Sequence, residues 1–192
     1  MTHGPHRLRA DAQLNQDRLL VSAAEEFTRK GADASLKKIA ADAGVGIGTL
    51  YRRFPTRERL VEATYRNETA RLCEAVHGLL DNAPAISALR SWMDLFVDFM
   101  ATKHAMADVL HAVLIADGEL RMETRDLLTE ALAKLISAGA AQGTVRADIP
   151  PEDALMSLGG VALIAGRAEQ HDLAGRLLDL LLDGLSAAPR SP

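Results

Sequence analysis

Ser35-Leu-Lys-Lys-Ile-Ala-Ala-Asp-Ala-Gly-Val-Gly-Ile-Gly-Thr-Leu-Tyr-Arg-Arg-Phe54 decides the fold of this chain. It reads as two short helices around a glycine turn. The Ser35 hydroxyl can accept one of the free N–H groups at the start of the first helix. Leu36, Ile39, Ala40 and Ala43 fall at i, i+3, i+4 and i+7, a single helix face. Gly44 permits the positive φ of a sharp turn, and Val45 anchors that turn to a core. Ile39 and Leu50 can pack into the angle between the helices, and Ala40 is small enough for close approach. Phe54 closes the second helix, which Pro55 stops. These are the demands of a helix-turn-helix, with Ile39, Ala40, Gly44, Val45, Leu50 and Phe54 as its framework. Gly44-Val-Gly46-Ile-Gly48 superficially resembles a nucleotide-binding glycine loop, but that loop follows a strand and here a helix precedes.

Outward from this motif the chain is helical throughout. Leu20, Ala23, Ala24 and Phe27 repeat the helical spacing, and Gly31 ends their helix after Arg29 and Lys30, which complement its C-terminal dipole. Thr56 caps a long fourth helix that breaks at Asn82-Ala-Pro84. Further helices are expected at about 84–102, 105–115, 119–141, 151–165 and 172–187, with a loop at 143–150. The expected fold is all-α, with about nine helices. No apolar run reaches the roughly 18–20 residues of a membrane span, and the polar N-terminus lacks the apolar centre of a signal peptide. The reading is a cytoplasmic protein with no membrane partner.

The 192 residues carry a net charge of −4, which by itself argues against nucleic acid. The distribution reverses that inference. Residues 1–71 carry +4 and residues 72–192 carry −8, and four of the seven Phe, Trp and Tyr residues lie in the basic third. On its outer face the second helix of the motif presents Thr49, Arg52 and Tyr51, groups able to reach phosphates or base edges. Tyr51 and Phe54 are both large enough to be core instead, and Arg53 can simply solvate a helix end.

Ile39-Ala-Ala-Asp-Ala-Gly-Val45, Gly48-Thr-Leu-Tyr-Arg-Arg-Phe-Pro-Thr-Arg-Glu-Arg-Leu60 and the preceding Ala23-Ala-Glu-Glu-Phe27 resemble the DNA-binding domain of the TetR family of bacterial transcriptional regulators. The resemblance covers about residues 15–65; the remaining helices agree by order and length only. It implies a homodimer that binds a palindromic operator on double-stranded DNA, usually to repress, and releases it when a small-molecule effector enters the helical body. It implies phosphate contacts from Ser35 and Lys37, and backbone or base contacts from the Thr49 and Tyr51 hydroxyls. Arg52 can contact guanine through two parallel hydrogen bonds. Arg53 stands where the family often has His. Arg57 resembles a position that commonly holds a phosphate-binding Lys, and Arg7, Arg9 and Arg18 can add contacts. The chain departs from the family at Gly46-Ile47-Gly48, where many relatives are polar. Base readout must there rest on Ile47 against thymine methyls and on close backbone approach.

On this reading the chain divides into a flexible basic arm (1–11), the helix-turn-helix domain (12–57), a ligand-binding and dimerisation domain (58–188) and a tail (189–192). Trp92, Phe96, Phe99, Met100, Leu110, His111, Leu114 and Met122 are the candidate ligand lining; an ordinary core would use the same residue types. Leu155, Gly159, Leu163, Leu173, Leu177, Leu181 and Leu185 are the candidate dimer face, since helices with so broad an apolar surface need more than one neighbour. Burial inside one chain is the alternative. His104 and His111, seven apart, lack the spacing of a metal pair, and Cys73 alone allows no internal disulfide. No catalytic constellation and no cofactor motif is present, so neither an enzyme nor a metal site is expected. The alternatives to a DNA-binding regulator are a helix-turn-helix that serves as a protein-interaction module and, against the missing constellation, an enzyme with the helical body as its active site.

Overall fold

The computed structural model describes residues 5–165 and 170–187; of residues 5–12 and 171 it describes the backbone only. Helix α1 runs Pro5–Lys30 and is followed by a single 3-10 turn, Gly31–Asp33. Helix α2 (Leu36–Asp42) and α3 (Ile47–Arg53) form the motif. Then come α4 (Arg57–Asn82), α5 (Ala85–Ala105), α6 (Ala107–Ala116), α7 (Gly118–Ala141), α8 (Pro151–Ala165) and α9 (His171–Leu185). Among the described residues the fold is all-α, with nine α-helices and a lone antiparallel bridge between Val145 and Ser186.

Helix α1 begins at Pro5, inside the segment that the sequence reading made a flexible arm; the side chains of Arg7 and Arg9 and residues 1–4 lie outside the described residues. The reason is local. From Arg7 to Lys30 the chain contains no Gly or Pro, and proline is tolerated in a helix's first turn. The 189–192 tail is also outside the described residues.

The chain forms two compact units. The first holds the chain up to Glu68 together with Thr102–Asp117; the second holds Thr69–Ala101 and the chain from Gly118 onward. The first unit therefore includes the end of α5 and all of α6, beyond the expected boundary at residue 57. Polar contacts accompany this grouping. The Thr28 and Thr102 hydroxyls share a hydrogen bond of 2.9 Å, Lys103 lies 6.0 Å from the Tyr65 ring centroid, and Arg66 pairs with Asp117 at 3.6 Å. The apolar centre of this unit is Leu19, Leu20, Ala23, Phe27, Ile39, Leu50, Leu60 and Val61, all essentially inaccessible to solvent.

In the second unit Trp92, Met93, Leu89, Leu132 and Leu135 are fully buried. The indole N–H of Trp92 donates to the Leu72 carbonyl at 2.9 Å, satisfying a polar group that burial would otherwise leave costly. Arg90 ties α5 to α9 through Asp179 at 2.7 Å. Cys73 is half-buried and points its sulfur at the Leu127 carbonyl, 3.6 Å away. Burial first, and then the negative charge of Glu130, push its thiol above the ordinary value. Alkylation of Cys73 at pH 8 is therefore expected to be slower than in the unfolded chain. Equal rates by mass spectrometry would contradict this environment.

Candidate nucleic-acid interface

The motif is built as its residues require. The Lys38 N–H donates to the Ser35 Oγ at 3.3 Å, so Ser35 caps α2. The Ser35 N–H in turn donates at 3.3 Å to Glu26, a buried carboxylate on α1 that also pairs with Arg29. Gly44 has φ +70, and its N–H donates to Ala41 O at 3.0 Å. The Val45 N–H reaches back to Ala40 O at 2.9 Å, which closes the turn; its side chain is half-buried. Ile39 and Leu50 are at 0% exposure, Ala40 at 2% and Phe54 at 6%. The framework residues thus fix α3 on α2 by burial. Truncating Leu50 to Ala should cost about 2–5 kcal/mol.

Fixing Leu50 inward turns the opposite face of α3 to solvent. Ile47 is 40% and Tyr51 49% exposed; Gly46, Gly48, Arg52 and Arg53 are exposed, and Thr49 is half-buried. Tyr51 is therefore a surface group and Phe54 a core one. Among the described residues neither Arg52 nor Arg53 makes an ion pair. On α2 the two lysines differ. Lys38 is neutralised by Asp42 at 2.7 Å, while Lys37 is exposed and carries no such pair. Ser35 and Arg18 are exposed as well.

An open cleft runs beside α3, lined by Thr49, Arg52 and Arg53 and, from α1, by Asn15, Gln16 and Leu19. Asn15 and Gln16 were not singled out by sequence reading. The signal available was their place one turn before Leu19, an apolar residue that α1 buries, which puts amide side chains next to the cations of α3.

Arg57 does not join this surface as expected. Its Nη1 donates to Ala34 O at 2.9 Å, and its Nη2 donates to Ala32 O at 2.8 Å and Gly31 O at 3.3 Å. The guanidinium also lies 5.1 Å from the Phe27 ring centroid. Three carbonyls of the α1–α2 connection thus converge on it. Its geometry is that of a clamp joining α4 to the α1–α2 connection, with Nη1 and Nη2 both directed at backbone carbonyls.

The other predicted groups fall as follows. Trp92, Phe96 and Phe99 are buried and adjacent, with ring centroids 5.8 and 6.1 Å apart, and Met100 is half-buried. Leu110 is buried, Leu114 half-buried and His111 exposed, all within the first unit. Met122 is 64% exposed and lies in a solvent-open groove with Arg125, Thr129 and Pro151. It is not an interior residue, because α7 turns Leu120, Thr124 and Leu128 inward instead.

Of the candidate dimer residues, Leu155 and Leu185 are core, at 8% and 3% exposure. Helix α8 buries Ala154, Leu155, Leu158, Ala162 and Ala165, which leaves Met156, Gly160, Leu163 and Ile164 outside. Leu163 is 72% and Ile164 65% exposed. Helix α9 buries Ala174, Leu178 and Leu185; Leu180 is 68% exposed, and Leu173, Leu177 and Leu181 are half-buried, as is Gly159 on α8.

Together the fold and this face define a helix-turn-helix regulator that binds DNA. The model for bacterial regulatory proteins of the tetR family matches residues 19–64, and that for the C-terminal domain of SbtR-like transcriptional regulators matches residues 84–187. A TetR transcriptional regulator of Streptomyces coelicolor shares 48% identity, with 91% of this chain and 99% of that one covered and a TM-score of 0.85. A TetR transcription regulatory protein of Mycobacterium vanbaalenii shares 29% identity, with 94% and 99% covered and a TM-score of 0.74. An HTH-type transcriptional regulator of Staphylococcus aureus is 38% identical over 66 residues, 33% of this chain and 34% of that protein. This chain belongs to the TetR family of transcriptional regulators, which are transcription factors and not enzymes.

Proposed function

We propose that the protein is a cytoplasmic repressor that binds a palindromic operator as a homodimer and leaves it when a small molecule binds the second unit. The observation that carries the DNA-facing part is the exposed face of α3, with two uncompensated guanidinium groups beside an open cleft. In this account Ser35, Lys37, Asn15 and Gln16 hold the backbone, while Ile47, Thr49, Tyr51 and Arg52 face base edges. Gly46 lets the start of α3 approach closely. Arg57 holds the scaffold.

The homodimer reading rests on the exposed apolar residues of α8 and α9 and on the family's habit. The effector reading rests on family membership. The apolar interior around Trp92, Phe96, Phe99 and Met100 is where such a molecule would have to make room. Among the described residues no single helix is long and apolar enough to cross a membrane.

Arg52 separates base reading from simple charge attraction. Arg52→Ala should weaken operator binding by about 10- to 100-fold and relax sequence preference at one base pair per half-site. Fluorescence anisotropy on a panel of single-base operator variants measures this. A uniform loss on all duplexes, with a salt slope lower by about one, would make Arg52 a phosphate contact only.

A further inference from the structure

The glycines of this chain fall into different physical classes. Gly44 needs its positive φ. Gly139 needs its missing side chain, because a Cβ there would collide with the Val145 side chain. Gly48 needs neither. It is the second residue of α3, its φ is not in the left-handed region, and a Cβ added to it would meet nothing within 4 Å. A glycine inside a helix weakens it relative to alanine, through the extra freedom of the unfolded chain. So α3, a helix of only 7 residues, carries a destabilising residue for which the chain itself offers no packing reason.

The position of Gly48 supplies one. Gly48, Tyr51 and Arg52 fall at i, i+3 and i+4, on the solvent side away from the buried Leu50, and Ile47, one turn before Leu50, stands at the edge of that face. Gly48 is the bare spot of that face, flanked by Ile47 and, one turn on, by Tyr51 and Arg52. The backbone Cα is open to solvent there, with nothing within 4 Å of the place a Cβ would take and the 40%-exposed Ile47 next to it in the chain. In the major groove, the group of matching size and polarity is the thymine C5-methyl.

We propose that Gly48 is a specificity-determining position, whose missing side chain makes a notch that receives a thymine methyl of each operator half-site. This rests on the reading of α3 as the base-facing helix. It predicts that the substitution that improves the fold harms the function. Gly78 provides the internal control. It too is an exposed glycine inside a helix, α4, with nothing within 4 Å of an added Cβ.

The test uses the full-length protein and the duplex that it recovers from a random pool. Gly48→Ala and Gly78→Ala should both raise the melting temperature. Gly48→Ala should bind that duplex about tenfold or more weakly, and Gly78→Ala within about twofold of the parent. Replacing thymines one at a time by deoxyuracil, which removes only the methyl, should reveal a sensitive position in each half-site for the parent protein and blunted sensitivity for Gly48→Ala. A lower melting temperature for Gly48→Ala, unchanged affinity, or the absence of any uracil-sensitive thymine would overturn the notch. Arg52→Ala, run alongside, separates the two levels. If it weakens binding while Gly48→Ala does not, only the notch falls; if neither matters, the reading of α3 falls as well.

Discussion

Leu163→Glu combined with Leu180→Glu is expected to turn the protein into a monomer and to cut operator affinity by more than about 100-fold. Among the described residues both leucines are among the most exposed large apolar side chains, at 72% and 68%. A helix pair that leaves such groups in water is incomplete by itself, and a second copy of the same pair is the simplest cover. The effect on DNA is large because two linked half-site contacts multiply: the second binds at the effective concentration set by the first. Analytical ultracentrifugation reads the mass and anisotropy reads the binding. Because the two positions are surface groups, circular dichroism should show the helical content unchanged. Ile115→Glu serves as the control, being 71% exposed but on α6, and should remain dimeric. A double variant that stays dimeric would place the interface elsewhere.

Arg57→Ala is expected to lower stability by about 2–3 kcal/mol, a drop of several degrees in melting temperature for a chain of this size. Three carbonyl acceptors lose a cationic donor, and the Phe27 ring loses its cation. The residue is only half-buried, so water can replace part of what is lost, which keeps the figure at the lower end for a charged clamp. Operator affinity measured well below the melting temperature should change by less than about threefold, and the salt slope should hold. Arg52→Ala should show the reverse pattern, with an intact fold and weaker binding. If Arg57→Ala instead lowers the salt slope by about one at unchanged stability, its guanidinium grips a phosphate and leaves its carbonyls on binding.

These two residues show what the sequence made legible. Arg52 could be placed from spacing alone, because Leu50 must face inward and a helix then dictates where residue 52 points. The helix-turn-helix is local in this sense throughout: Ser35, Gly44 and Phe54 each act on neighbours within a few positions. Arg57 is different. The carbonyls of Gly31, Ala32 and Ala34 stand 23 to 26 residues earlier in the chain and meet it only after folding. A basic residue in the first turn of a helix looks free until that return is known.

The apolar helices failed for another reason. Leu173, Leu177, Leu178, Leu180, Leu181, Leu182 and Leu185 cover so much of α9 that periodicity alone cannot say which side is core. The structure chooses Ala174, Leu178 and Leu185, using a small residue that a search for leucines passes over. Helix α8 repeats this, burying three alanines while Leu163 and Ile164 stay outside. The placement of Thr102–Asp117 with the DNA-binding helices had no local signature either, since the Thr28–Thr102 hydrogen bond joins residues 74 positions apart.

The charge division retains its meaning. An uncompensated basic face on α3 belongs to a segment of net +4, whereas the rest of the chain carries −8 and repels phosphate. Selection of duplexes from a random pool by the purified full-length protein tests the central claim most directly. The account predicts recovery of an inverted repeat whose half-sites are centred about one helical turn, roughly 34–36 Å, or a multiple of it apart. Recovery of no enriched sequence, or of a single half-site without its inverted partner, would contradict it.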